Sequence, residues 1–356
     1  MRADTQATSG TTAAAAPTDG TAGRPLPAAA SDPSPEGPAE SAAPRRWLPP
    51  WAATLLRIAF TLVLAGLVLS RLEWPKLFDV FASLDWRWWT AGMLVAFAAH
   101  VVAAVRWAGL ARPIGFDQPL SSFIRRFLEG MFFSLCLPTS IGGDVVKAYR
   151  LSPSAHGRLL AGCTILADRL CGLSALGVLA GTTAITLRFG LSLPIAIALG
   201  GGLLLAVVTC LVGIVGSLDF LLSAFPDAHA PRRFAAQLLP YQQRPSLLAR
   251  AVAWSMIVQT GFVVCVMLIA RGIGLGLPAA AWFASVPLVA LATVLPISIS
   301  GIGLREAAFI QLLGPYDVAS EQATAVGVLW FLATVIVSLS GGLVYLLDPA
   351  KRGSSG

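Results

Sequence analysis

The stretch LPTSIGGDVVKAYRL, Leu137 to Leu151, reads as a membrane helix that stops at Leu-Pro, passes through a Ser/Gly-rich break and restarts as a short basic helix. It returns as LPISISGIGLREAAF, Leu295 to Phe309. Leu137, Pro138, Ser140, Ile141, Gly143 and Lys147 match Leu295, Pro296, Ser298, Ile299, Gly301 and Arg305 at a single offset of 158 residues. Paired interruptions at corresponding places in the two halves of a membrane chain point to a transporter binding site.

Composition sets the solvent. With 56% hydrophobic residues, 12% charged residues and a mean hydropathy of +0.75, the chain is too apolar for a soluble globular protein. A net charge of +7 would fit a nucleic-acid binder, but most basic residues fall in short loops between apolar runs. There they report membrane topology, and no nucleic-acid partner is expected.

Residues 1–46 form an Ala/Pro/Thr/Ser/Gly tract that cannot bury enough apolar surface to offset its ordering entropy, so a disordered cytoplasmic tail is expected there. No apolar run follows the first few residues, which argues against a cleaved signal peptide. The run from Trp51 to Ser70 is read as an uncleaved anchor. Residues 47–350 form the membrane domain, and 351–356 a C-terminal tail.

Apolar runs of about 20 residues occur near 51–70, 88–111, 159–187, 194–216, 247–270 and 319–347, giving six full spans. Two further stretches, about 120–137 and 283–297, run into the breaks and are followed by short helices at 144–151 and 303–313. Each is read as a re-entrant pair of half-helices. Basic residues then gather on one side, the cytoplasm, from Arg45 and Arg46 through Arg112, Arg125, Arg126, Lys147, Arg150 and Arg158 to Arg232, Arg233, Arg244, Arg250, Lys351 and Arg352. Both termini lie on that side. Trp74, Trp86, Trp88 and Trp89 suit the outer interfacial belt.

Each half, about 51–187 and about 194–347, then crosses three times, so the halves are inverted relative to each other and the tips of the broken pairs approach near the midplane. If both pairs crossed fully, the chain would have eight spans and parallel halves. The fold class is all-α in either case, a polytopic helical bundle.

Irregular backbone at membrane depth survives only where protein buries it or water reaches it. Helices restart at Gly142-Gly143-Asp144 and at Gly301-Ile302-Gly303, so their N-H groups and positive dipole ends should face a cavity and suit an anion such as phosphate. Lys147 and Arg305 add a cation to each first turn. The plainer reading is that Gly and Pro permit tight packing while both cations snorkel.

Asp168 and Arg169 lie about ten residues inside the third span, where charge normally faces a cavity or a partner. As neighbours on a helix they point about 100° apart and each needs a partner elsewhere: Lys147 or Arg305 for Asp168, Asp144 or Glu306 for Arg169. Adjacent opposite charges that cannot pair with each other suit partners that alternate between states; a static ion network is the competing account. His100, Arg106, Glu129 and Gln259 are further polar groups in membrane segments, with Arg57 and Arg106 near enough to span ends to snorkel. Five scattered cysteines and three separated histidines give no disulfide framework or metal spacing, and no cofactor is expected. GxSxG, HExxH, Walker and Rossmann signatures are absent.

At these residues the chain resembles the family named for the transmembrane region of lysylphosphatidylglycerol synthase, also called the flippase-like domain. The matching features are LPTSIGGD followed by a basic helix to Arg150, ADRLCGL around Asp168 and Arg169, and ISGIGLREAA from Ile299 to Ala308. The resemblance covers about residues 51–348. It implies a protein that moves lipid across the bilayer of a bacterial inner membrane; on the reading of the residues above, Gly142, Gly143, Asp144, Lys147, Asp168, Arg169, Gly301, Gly303, Arg305 and Glu306 are the residues expected at an anionic or phosphate-bearing lipid. The soluble aminoacyltransferase domain of the full synthase is lacking, so lysyl transfer is not implied. The alternatives are a membrane-embedded enzyme or accessory subunit of lipid, hopanoid or glycolipid synthesis, with a biosynthetic enzyme as partner, and a non-catalytic membrane scaffold.

Overall fold

The computed structural model describes residues 72–136, 142–152, 154–187, 230–294 and 300–347 continuously, with isolated positions between 55 and 70 and between 194 and 205, and Ser298. The tail at 1–46, the spans expected at 51–70 and 194–216 and the C-terminal tail lie wholly or largely outside the described residues.

Ten α-helices can be followed among the described residues: α1 Trp74–Ala82, α2 Trp86–Ala111, α3 Leu120–Cys136, α4 Gly142–Leu151, α5 Ala155–Leu187, α6 Ala230–Gln243, α7 Pro245–Gly272, α8 Ala279–Val294, α9 Leu304–Leu313 and α10 Ser320–Leu346. Four of them, α2, α5, α7 and α10, are long and apolar enough to cross a membrane, and they coincide with four of the six expected spans. Helices flank both expected breaks, α3 and α4 the first and α8 and α9 the second, while residues 137–141, 295–297 and 299 of the breaks lie outside the described residues.

Local sequence accounts for the helix ends. Asp85 caps α2 by accepting from the Arg87 N-H at 2.9 Å, and prolines open α1 and α7, where a missing N-H costs nothing. Between α8 and α9 the chain turns through left-handed backbone at Ser300 (φ 53°), Gly301 (φ 74°) and Gly303 (φ 79°). Glycine carries no Cβ penalty there, which explains two of the three residues.

Adding 158 to the bounds of α1, α2 and α3 gives those of α6, α7 and α8 to within three residues. The offset seen in the motif therefore runs through the preceding helices. Contacts repeat too: α3 packs on α10 as α8 packs on α5, α2 on α10 as α7 on α5, and α1 on α10 as α6 on α5.

At the centre, α2 lies against its own equivalent, α7. The Asp85 N-H donates to the Gly272 carbonyl at 2.8 Å, Gly92 faces Cys265 and Ile269, Gly261 faces Ala99, and Arg106 meets Ser255. Residue numbers rise along one helix as they fall along the other, so the two run antiparallel. In lipid, where apolar burial gives helices no reason to associate, small residues allow the close approach that holds such a seam.

Trp74, Trp86 and Trp88 are exposed as a belt residue should be. Trp89 is not: it is buried and donates from Nε1 to the Leu329 carbonyl at 3.2 Å. Its position one residue round the helix from Trp88 turns it from the bilayer side to α10.

Candidate functional site

Beside α4 lies a partly open cavity of about 270 Å³ lined by α2, α4, α5 and α7, with Phe127 of α3 and Val294, the last residue of α8, on its wall. Its polar lining is Arg106, Asp144, Lys147, Asp168, Arg169 and Gln259. Trp107, Ile165, Leu173 and Leu176 supply apolar surface. Three cations face two carboxylates, which leaves one net positive charge. Four of the expected site residues, Asp144, Lys147, Asp168 and Arg169, are thus brought together.

Helix α4 places two of them. Asp144 sits in its first turn, where a carboxylate is favoured by the helix dipole, and Lys147 follows one turn on. The Lys147 Nζ lies 3.4 Å from Asp144 Oδ1 and 4.3 Å from the centre of the Phe127 ring. Arg169 reaches the other oxygen of Asp144 through Nε, which fulfils one of the two partners expected for it. Asp144 is therefore shared between two cations, and Lys147 holds it at the long end of hydrogen-bonding distance.

Gly143 and Gly130 explain how α4 comes so close to α3. A Cβ on Gly143 would overlap the Gly130 carbonyl and the Ser134 hydroxyl, and one on Gly130 would overlap the Lys147 side chain. The two glycines do different work. Gly143 admits backbone, whereas Gly130 leaves a channel for the lysine. Gly130→Ala is expected to fold with a melting temperature near that of the wild type but to push Lys147 off its seat over Phe127. Thermal melting in detergent together with the rate of amine labelling at Lys147 checks this: unchanged labelling would show that the lysine keeps its seat.

Asp168 pairs with neither Lys147 nor Arg305. Its carboxylate is held by Arg106 in a two-pronged contact, Nε to Oδ1 at 2.7 Å and Nη2 to Oδ2 at 2.9 Å, and Arg106 Nη1 donates to Ser255 Oγ at 2.7 Å. Both side chains are nearly buried, at 7% and 10% exposure. Arg106, expected to snorkel, instead points across the bundle. Sequence position placed it near a span end, about five residues (7–8 Å at 1.5 Å per residue) from it. Only the crossing of α2 over α5 shows that its reach is inward.

Arg150 was read as a marker of the cytoplasmic side and is likewise a partner. It forks onto Glu129, fully buried in α3, at 2.7 and 3.1 Å, and lies over Tyr345 of α10. The pair ties α3, α4 and α10 together. A buried glutamate in an apolar helix was the available signal, since such a group demands a cation. His100 packs edge-on against Phe262 at 5.0 Å and bonds the Ala96 carbonyl.

The second break is built differently. Glu306 turns back to accept from the Gly303 N-H at 2.7 Å, so a carboxylate of the chain itself occupies the start of α9. It does not meet Arg169. Arg305 lies 5.2 Å from each of the Trp330 and Phe331 rings and donates from Nη2 to the Ser300 carbonyl at 3.1 Å. Its Nε and Nη1 are buried and bonded to no described residue. Gly301 abuts Thr293 and Arg305. None of Gly301, Gly303, Arg305 and Glu306 lines the cavity, although α8 ends on its wall at Val294. Gly142 is buried at the start of α4 and does not line it either.

Membrane-length apolar helices around a charged internal cavity define a multi-pass membrane protein with a polar task inside the bundle. The family model described as the lysylphosphatidylglycerol synthase TM region matches residues 54–342, and the chain belongs to that family. No curated protein matches it significantly. Membership links the chain to the handling of lipid in a membrane.

Proposed function

We propose that the chain is a lipid translocase made of two inverted repeats, which draws the anionic or phosphate-bearing headgroup of a lipid into the cavity beside α4. The observation that carries this is the cavity's charge. Lys147 and Arg169 both lie against the Asp144 carboxylate at the cavity, so an incoming phosphate can draw one cation while Asp144 keeps the other. Such charge-assisted bonds are the strong ones. Arg106 and Asp168 close on each other and line the wall as a neutral pair.

The inverted arrangement is supported by α2 and α7, which correspond through the 158-residue offset and run antiparallel. Three crossings per half would produce that. The cavity lies toward the C-terminal end of α2, the side on which the basic loops gather, so loading takes place from the cytoplasmic leaflet of an inner membrane. The second break, with two unbonded donors on Arg305, supplies a later resting place for the same headgroup.

The test is reconstitution in vesicles carrying a fluorescent phosphatidylglycerol, with quenching from outside to follow exchange between leaflets. Lys147→Ala and Arg169→Ala are each expected to slow exchange about tenfold or more, since one charge-assisted bond is worth roughly 1.5–3 kcal/mol. Lys76→Ala, exposed and paired only with Glu73, should exchange lipid at the wild-type rate. Wild-type exchange by both cavity variants would sink the assignment, and a change in the mass of the lipid would make the chain an enzyme instead.

A further inference from the structure

A second cavity, of about 220 Å³, opens between α2, α3 and α7 at the other face of Arg106. Three arginines line it, Arg106, Arg112 and Arg250, and no aspartate or glutamate does. Arg106 is already matched by Asp168. That leaves Arg112, whose Nη2 donates only to the Gln118 carbonyl at 3.3 Å, and Arg250, which makes no ion pair among the described residues. Both guanidinium groups are exposed, and side by side on one small cavity they offer an anion charge-assisted bonds from two donors.

Placement narrows the anion. Arg112 follows directly on the C-terminus of α2 and Arg250 lies in the second turn of α7, so the antiparallel pairing sets both at one end of two membrane-length helices, the level of lipid headgroups. One turn deeper on α7, Trp254 lines the same cavity and is 40% exposed, and Ile257 beyond it is 55% exposed. A charged pocket continuing into an exposed apolar strip along one helix matches a headgroup with its acyl chains; a free anion would need only the first part.

The internal symmetry supplies an independent observation. The offset of 158 pairs Arg250 with Gly92 and Arg112 with Ala270, and these two are buried at the opposite end of the same helix pair. There Gly92 packs onto the Cys265 carbonyl, and Asp85 bonds directly to Gly272. One end of the α2–α7 seam is sealed by small residues and the other is opened by arginines. Packing of the repeat does not require that difference.

We infer that this cavity is a binding site for the phosphodiester headgroup of an anionic phospholipid, held by Arg112 and Arg250 in the leaflet at the C-terminal end of α2, with its chains along Trp254. The inference rests on the reading of the chain as a handler of anionic lipid, but its site is separate from the cavity at Lys147.

Native mass spectrometry of the full chain in detergent, titrated with dioleoylphosphatidylglycerol, tests it. The double variant Arg112→Gln/Arg250→Gln is expected to bind the tightest phosphatidylglycerol about tenfold or more weakly, with phosphatidylcholine adducts unchanged and glycerol phosphate unable to displace the lipid. Unaltered phosphatidylglycerol binding overturns the proposal, and displacement by glycerol phosphate at matching concentration makes this a site for free phosphate esters. Should the double variant fold poorly, Arg250→Gln alone, at an exposed residue that bonds to nothing described, must still weaken the adduct several-fold. Lys147→Ala separates the two readings: it keeps this adduct while losing transport if both hold. If it loses the adduct that the arginine variant keeps, the interfacial site falls. If it transports normally while the arginine variant loses lipid, the Lys147 cavity falls and this site stands.

Discussion

Asp168→Asn is expected to destabilise the protein by roughly 3–5 kcal/mol, the usual cost of removing one member of a buried pair and stranding the other. The partner left behind is Arg106, which is 7% exposed and whose guanidinium would keep only Ser255 among the described residues. The reading is a lower melting temperature in detergent and lower abundance in the membrane. Arg106→Met combined with Asp168→Leu should recover most of the loss, because a volume-matched apolar pair replaces a buried ion pair at little or no cost. Adjacent charges had pointed to partners that alternate, and the two-pronged Arg106 contact points to a fixed wall. Should Asp168→Asn melt like the wild type and yet fail to move lipid, the alternating account would regain its place.

Gly143→Val is expected to be as damaging, by more than about 3 kcal/mol, for a different reason. Overpacking a closed interior typically costs about 1–3 kcal/mol where side chains can yield; here the Cβ meets the Gly130 carbonyl, which belongs to a helix and cannot. Gly341→Val should behave alike, since its Cβ would meet the Leu128 carbonyl across the α3–α10 contact. A Gly143→Val variant made in normal amounts with a wild-type melting temperature would show that α4 can move away from α3 at little cost. Abundance by immunoblot and melting in detergent distinguish these outcomes.

Much of the architecture was legible because a bilayer simplifies the code. Length and apolarity alone place α2, α5, α7 and α10, and Leu-Pro followed by Ser and Gly marks where α3 and α8 stop. The offset shared by Lys147 and Arg305 foretold that α2 would have an equivalent in α7. Within the site, Asp144, Lys147 and Arg169 came together because two of them share one helical turn and the third was a lone cation in search of a carboxylate. Beyond that, inference along the chain fails for partners across the bundle. Arg106 and Asp168 are 62 residues apart, and which of several buried charges meet depends on how α2 crosses α5, something no spacing encodes. The repeat carries position but not surroundings: Lys147 lines the cavity, whereas Glu306 folds back on Gly303 and Arg305 lies among aromatic rings outside it.

The seam between α2 and α7 bears on ancestry. A helix that packs antiparallel against its own equivalent is a self-complementary surface, so on the inverted-repeat reading a single half, inserted in the membrane in both directions, would already form the central contact as a homodimer. Gene duplication and fusion would then add no new interface. What fusion adds is the freedom to diverge: each copy supplies one residue to the sealed end of the seam, Gly92 from the first and Ala270 from the second, and one to the open end, Arg112 from the first and Arg250 from the second. On that reading, equivalent positions of one ancestral surface would face opposite leaflets with different chemistry, small residues at one and arginines at the other.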